Sequence, residues 1–253
     1  TKLSKDQLLE IAKKIKSLDK EKFKLMITPF DEDSVNWSLE SKIDIIKIAS
    51  CSANDWPLLE EASNLNKPIV ASTGGLNLES IDNLVSFFRH RAVNFSLMHC
   101  ISVYPTNPED CNLSFINTLK RRYPEIAIGW STHEPPKNTD LVIAAIAAGA
   151  NLLERHICLP KEGKPQNAYS STPEELQNWL NKIHTTHNIL GNPNILQRDE
   201  EVASIKLLSR GVYAKKDIIK EEKITKENTY FAFPLIANDQ LTSSTIKFPS
   251  YAL

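Results

Sequence analysis

The sequence has almost no net charge, with 30 Lys and Arg residues against 31 Asp and Glu residues. No global field therefore favours nucleic acid or an acidic membrane surface, and an anionic ligand must be held by a local site. Long apolar runs are missing too. The most apolar stretch, Leu141 to Ala150, is too short for a membrane span and is rich in Ala. No charged-then-apolar leader follows Thr1, so the expectation is a cytoplasmic protein, and the start reads as an N-terminal truncation. Cys51, Cys100, Cys111 and Cys158 show no CxxC spacing, which argues against a zinc site or a disulfide framework and for reduced, mostly buried thiols. No GxGxxG follows an apolar run, which weakens a dinucleotide-binding reading.

Short apolar runs alternate with longer segments of helical period. The runs are Lys24–Phe30, Ile43–Ser50, Pro68–Thr73, Phe95–Ser102, Ala127–His133 and Asn151–Leu159. Each suits a buried parallel strand. Between or beside them, Ser4–Lys20, Asn77–His90, Pro108–Arg122, Lys137–Ala150 and Pro173–Leu190 space their apolar residues as helices do. Even strand–helix alternation predicts an α/β fold, a TIM-type (β/α) barrel rather than a doubly wound sheet. Residues 1–190 form this partial barrel in the prediction, 191–208 a linker, and 209–253 a small strand-rich domain.

The strands become polar at their C-terminal ends, the face on which parallel barrels build active sites. Residues two apart share a strand face. Ser131 and His133 share one, and Glu154 and His156 share one on the next strand. Neighbouring strands lie about 4.8 Å apart, so two inward histidines are within reach of one divalent ion such as Mn²⁺. Hydrogen-bonded core histidines are the plainer alternative. Lys47 sits inside IDIIKIAS, on the face of Ile45 and Ala49. A buried ammonium is costly unless it meets an anion. Thr28, Ser50, Ser72, Ser102 and Ser131 supply hydroxyls for such a pocket, and Gly74-Gly75 could add backbone N–H groups. The alternative is that Lys47 reaches the rim and the hydroxyls are rim polarity. His99 has the opposite parity and should face the helices, while His184 and His187 sit on a polar helix or its end.

Taken in order, MITPFD, KIAS, KPIVASTGG, LMHCISVYPTNPEDCNL, IGWSTHE, LLERHI and SSTPEEL resemble the N-acetylneuraminate synthase family, which includes legionaminic- and pseudaminic-acid synthases. The resemblance runs from about Met26 to Leu176, and Ser209 to Pro234 looks like the start of that family's antifreeze-like domain. It implies six of eight barrel units, a homodimer for the full-length protein, and condensation of phosphoenolpyruvate with an N-acyl-amino-sugar aldehyde. It implies Mn or Mg on His133 and His156. It implies phosphoenolpyruvate contacts from Thr28, Lys47, Ser50, Ser72, Ser102 and Ser131, with Lys47 and Glu154 as the catalytic pair. Tyr104, Glu154 and Gln166 fall near the sugar. The chain departs from the family pattern at Ser52 and Gln166, each in place of an acid, at Phe233 in place of an Arg, and at Gly75 in place of a Met. A non-catalytic relative that binds phosphoenolpyruvate-like ligands and an aldolase using Lys47 as a Schiff base remain the competing readings.

Overall fold

A computed structural model of the chain describes residues 4–162, 164–194, 196–237 and 239–246. The chain divides into two compact units, Thr1–Gly191 and Asn192–Leu253. In the first unit the strands are β1 (Met26–Ile27), β2 (Ile45–Ile48), β3 (Ile69–Ser72), β4 (Phe95–Cys100), β5 (Ala127–Thr132) and β6 (Leu152–Arg155). All pair in parallel, in chain order, to give a half-barrel. Among the described residues nothing pairs β6 back to β1.

Helices α1 (Lys5–Lys16), α2 (Glu32–Glu40), α3 (Trp56–Asn64), α4 (Leu78–His90), α5 (Ser114–Arg122), α6 (Asp140–Ala147) and α7 (Pro173–Leu190) complete the unit. The periodicity reading missed α2 and α3. In α2 the apolar residues Val35, Trp37 and Leu39 alternate, and in α3 they cluster at the start, Trp56 to Leu59, so neither segment shows a helical period. Their starts were legible in another way: Asp31 accepts from the Ser34 N–H and Asp55 from the Leu58 N–H, as N-caps do. Capping boxes fix the starts of α1, through Ser4 and Gln7, and of α7, through Thr172 and Glu175. The chain turns after α2, α3 and α4 through left-handed residues that are not glycine: Lys42, Asn66 and Ala92.

Strand parity divides the sheet into two chemically different faces. Ile46, Ile48, Ile69, Ala71, Leu97, Ile128 and Trp130 pack against helix residues such as Leu58, Leu84, Phe88, Ile116 and Val142 in one continuous core. The alternate residues, Lys47, Ser72, Cys100 and Ser131, are buried but lie on the opposite, concave face. That face carries the polar side chains.

The second unit holds helix α8 (Asp199–Leu207) and the antiparallel pair β7 (Gly211–Ala214) and β8 (Thr229–Ala232). Tyr213 stacks on its register partner Tyr230, with ring centroids 5.4 Å apart. Helix α8 lies within the stretch expected as a linker. Asp199, Glu200 and Glu201 in its first turn and Lys206 in its last complement the helix dipole. Residues 247–253, part of the expected second domain, lie outside the described residues.

Candidate functional site

The concave face gathers its polar groups where the strands end. Lys47 is only 6% exposed, so it does not reach the rim. Its ammonium donates to Ser72 Oγ at 2.7 Å and to the Ile48 carbonyl at 3.3 Å. Glu154 Oε2 lies 3.5 Å from Lys47 Nζ. That carboxylate oxygen is itself buried and accepts no hydrogen bond, so a ligand donor is its natural partner. Ser131 is the register neighbour of both Cys100 and Glu154, which places its hydroxyl between β4 and β6. Ser50 follows β2 and accepts a 3.0 Å hydrogen bond from the Gly74 N–H. The Gly74 amide, expected to be open to an anion, is thus spent on orienting Ser50. Ser102 also closes on Gly74, and a Cβ there would stand 2.3 Å from Ser102 Oγ and 2.8 Å from Ser50 Oγ. Thr28 follows β1 and is half-buried.

His133 and His156 end β5 and β6, with ring centroids 5.2 Å apart. The carbonyl of Ile101 lies 3.0 Å from His133 Nδ1. A carbonyl only accepts, so Nδ1 carries the proton and Nε2 keeps its lone pair. Burial pushes His133 below the ordinary histidine range, and burial followed by repulsion from His133 does the same for His156. Two neutral imidazoles at this separation fit one borderline divalent ion, given metal–nitrogen distances of about 2.0–2.1 Å. Among the described residues no group of three or more His, Cys, Asp or Glu side chains is placed to hold an ion. Water or ligand oxygens would have to complete the shell.

Two tyrosines wall this pair. Tyr104 lies 4.2 Å from the His133 ring and Tyr169 lies 5.1 Å from the His156 ring. The tyrosines meet each other edge to face at 5.3 Å. Burial raises the Tyr104 phenol above its usual range. Tyr169 was not anticipated from sequence. It sits in an irregular loop, where strand parity gives no guide, although an aromatic just before the α7 capping box was a usable signal. Gln166 lies in the loop that precedes α7. Its amide donates to the Ser170 carbonyl and to Glu175 Oε2, both at 2.7 Å, and so braces the start of α7. His99 faces the helical layer, bonded to the Cys111 carbonyl at 2.7 Å and packed on Phe115 of α5. Phe233 is exposed and belongs to the second unit.

With the half-barrel and its polar mouth in place, comparison with known proteins decides the family. The NeuB family model matches residues 1–194. The chain belongs to the NeuB family. It is 38% identical over 176 residues to N-acetylneuraminate-9-phosphate synthase of Drosophila melanogaster, covering 69% of this chain and 46% of that one. It is 30% identical over 205 residues to N,N'-diacetyllegionaminic acid synthase of Campylobacter jejuni, covering 79% of this chain and 60% of that protein. The solved structure of spore coat polysaccharide biosynthesis protein E from Chromobacterium violaceum superposes with a TM-score of 0.92 at 39% identity, over 96% of this chain and 72% of that chain. The NeuB match thus covers the half-barrel, and the chain spans about half the length of the first curated relatives it matches. Among the described residues no helix is long and apolar enough to cross a membrane.

Proposed function

We propose that this NeuB-family chain carries the donor and cation sites of a nonulosonate synthase. The reaction joins phosphoenolpyruvate to an N-acyl-amino-sugar aldehyde, N-acetylmannosamine or a 6-deoxy diacetamido analogue, and releases phosphate. The observation that supports it best is Lys47, a buried ammonium held by Ser72 and ion-paired with a Glu154 carboxylate oxygen that accepts no hydrogen bond. In this reading Lys47, with the hydroxyls of Thr28, Ser50, Ser72, Ser102 and Ser131, holds the phosphate and carboxylate of the donor. The donor's methylene carbon forms a bond to the aldehyde carbon. Water adds at the enol carbon as the phosphate leaves, and Lys47 stabilises the departing charge. Glu154 orients a sugar hydroxyl or carries a proton at the acceptor. A divalent ion, Mn²⁺ or Mg²⁺, held by His133 and His156 supplies Lewis acidity toward the aldehyde oxygen when bound. The second unit is read as the start of an antifreeze-like domain, and the full-length protein as a homodimer.

On the acceptor side of the first unit the acids of the family pattern are absent at Ser52 and Gln166, and Gln166 is engaged with α7. Each charge-assisted hydrogen bond is worth about 1.5–3 kcal/mol, which is roughly ten- to a hundred-fold in affinity. A less polar acceptor, such as the 6-deoxy diacetamido sugar, is therefore preferred. The test is phosphate release with phosphoenolpyruvate, Mn²⁺ and each sugar in turn, alongside calorimetric binding of phosphoenolpyruvate. Lys47→Met is expected to weaken phosphoenolpyruvate binding by about ten- to a hundred-fold. Unchanged binding in that variant would remove Lys47 from the donor site. Higher kcat/KM with N-acetylmannosamine would defeat the acceptor preference. Binding without release from any sugar would favour a non-catalytic relative.

A further inference from the structure

Behind the concave face lies a buried ion pair that the proposed chemistry does not use. The side chains of Arg155 and Glu134 are only 2% and 1% exposed. Strand parity turns Arg155 away from Glu154 and His156, toward α7, where the Trp179 ring centre lies 5.7 Å from Arg155 Cζ. A buried pair of this kind is often no more stabilising than an apolar pair of equal volume, so stability alone does not account for it. Its contacts suggest another role. The guanidinium donates to Thr132 Oγ1 at 3.2 Å and to the Glu134 carbonyl at 3.3 Å, as well as to the Glu134 carboxylate and Ser171 Oγ. Thr132 and Glu134 flank His133. Ser171 is fastened to the other histidine: its N–H donates to the His156 carbonyl at 2.8 Å, and its carbonyl accepts from Cys158 N–H at 2.9 Å. One planar fork thus ties the end of β5, the end of β6 and the loop segment just after Tyr169.

We propose that Arg155, with Glu134, is a positioning pair that fixes the separation and tilt of His133 and His156 so that both imidazoles converge on one divalent cation. This rests on the cation reading given above and adds the device that sets it up. The guanidinium is suited to the task because its donors lie in a fixed plane, whereas a lysine ammonium is a point charge on a flexible stem. Three bonded segments then move as one body, and the two rings keep their spacing without touching Arg155.

The test uses the whole chain, freed of metal and titrated with Mn²⁺ alone, with free ion followed by electron paramagnetic resonance. Arg155→Met strands the Glu134 charge and is expected to fold poorly. The decisive variant is the double replacement Glu134→Gln with Arg155→Met, which removes both charges at similar volume. It is expected to keep its thermal midpoint close to wild type while Mn²⁺ affinity falls about 10–100-fold, the usual cost of losing an outer-shell partner. Phosphoenolpyruvate affinity of the metal-free protein is expected to hold, because Lys47 and Ser72 stand on β2 and β3. Arg155→Lys should fall between the two for Mn²⁺. Wild-type Mn²⁺ affinity in the double variant overturns the positioning role. Equal losses of Mn²⁺ and phosphoenolpyruvate also overturn it, since they indicate general loosening. A wild-type chain that binds no Mn²⁺ overturns the cation reading itself, and the inference with it, before any variant is compared.

Discussion

At Gly74 the site depends on the absence of a side chain. A Cβ at this position would lie 2.3 Å from Ser102 Oγ, 2.8 Å from Ser50 Oγ and 3.1 Å from Cys100 Sγ. Gly74→Ala must therefore push two hydroxyls off the donor pocket. The expected outcome is a loss of phosphoenolpyruvate affinity of roughly tenfold, about one hydrogen bond, with little change in unfolding midpoint because Ser102 is exposed and can turn outward by giving up a long 3.8 Å contact to Cys100 Sγ. Calorimetric titration of the variant checks this, and wild-type affinity would remove Ser50 and Ser102 from the donor pocket. Lys47, His133 and His156 were legible as a set because each sits on or just past a strand, where parity assigns a face. Tyr169 and the bracing role of Gln166 were not, because both depend on how an irregular loop returns to α7.

At the scale of elements, α4 and α5 are joined by a surface brace. Arg122 donates to both carboxylate oxygens of Asp82, and the Tyr123 hydroxyl donates to the same carboxylate. These bonds, Arg122 first and then Tyr123, lower the Asp82 carboxyl from 3.8 to about 2. Burial, reinforced by the donation to Asp82, pushes the Tyr123 phenol up to about 12. A depressed carboxyl stabilises the fold fully above its unfolded value and loses that contribution as pH falls through its folded value. The brace should therefore be intact above pH 3.8, fade as pH falls through about 2, and be gone only below that. Arg122 and Asp82 side chains are 46% and 37% exposed, so solvent screening holds the contribution to about 0.2–1 kcal/mol. Asp82→Asn is expected to lower stability by that amount at neutral pH and to match wild type near the acid limit. Denaturant melts at the two pH values measure it, and a pH-independent difference would mean that packing, not charge, joins these helices. Periodicity found α4 and α5, but the brace spans 40 residues of chain, and no local pattern announces it.

At the largest scale, one core spans the first unit, from Ala12 in α1 to Trp179 in α7. Phe88 lies at its centre, fully buried, with its ring 5.0 Å from Phe95 of β4. Phe88→Ala should cost about 3–5 kcal/mol, a large share of the roughly 5–15 kcal/mol that a folded domain commands. A fall in the thermal midpoint is expected together with weaker binding at the concave face, because the same sheet carries both. An unchanged midpoint would show that the α4 layer packs independently of β4. The sheet is open among the described residues, with β1 and β6 at its edges.

The local chemistry of this chain was largely determined by its sequence. Apolar runs with one polar parity dictated parallel strands that are hydrophobic toward the helices and polar toward a shared face. The charge on Lys47 and the two strand-end histidines followed from the same alternation. Helices α2 and α3 escaped, since their apolar residues do not recur at helical spacing, and so did α8 in the expected linker. Tertiary structure alone decided which polar groups face each other. It set Lys47 between Ser72 and Glu154, brought the histidine rings to 5.2 Å, turned Gln166 onto α7, and placed Arg155 where one guanidinium holds three segments. The physical reason is that face is a property of one strand, whereas distance between side chains depends on register, twist and loop return, which arise only when the whole sheet is assembled.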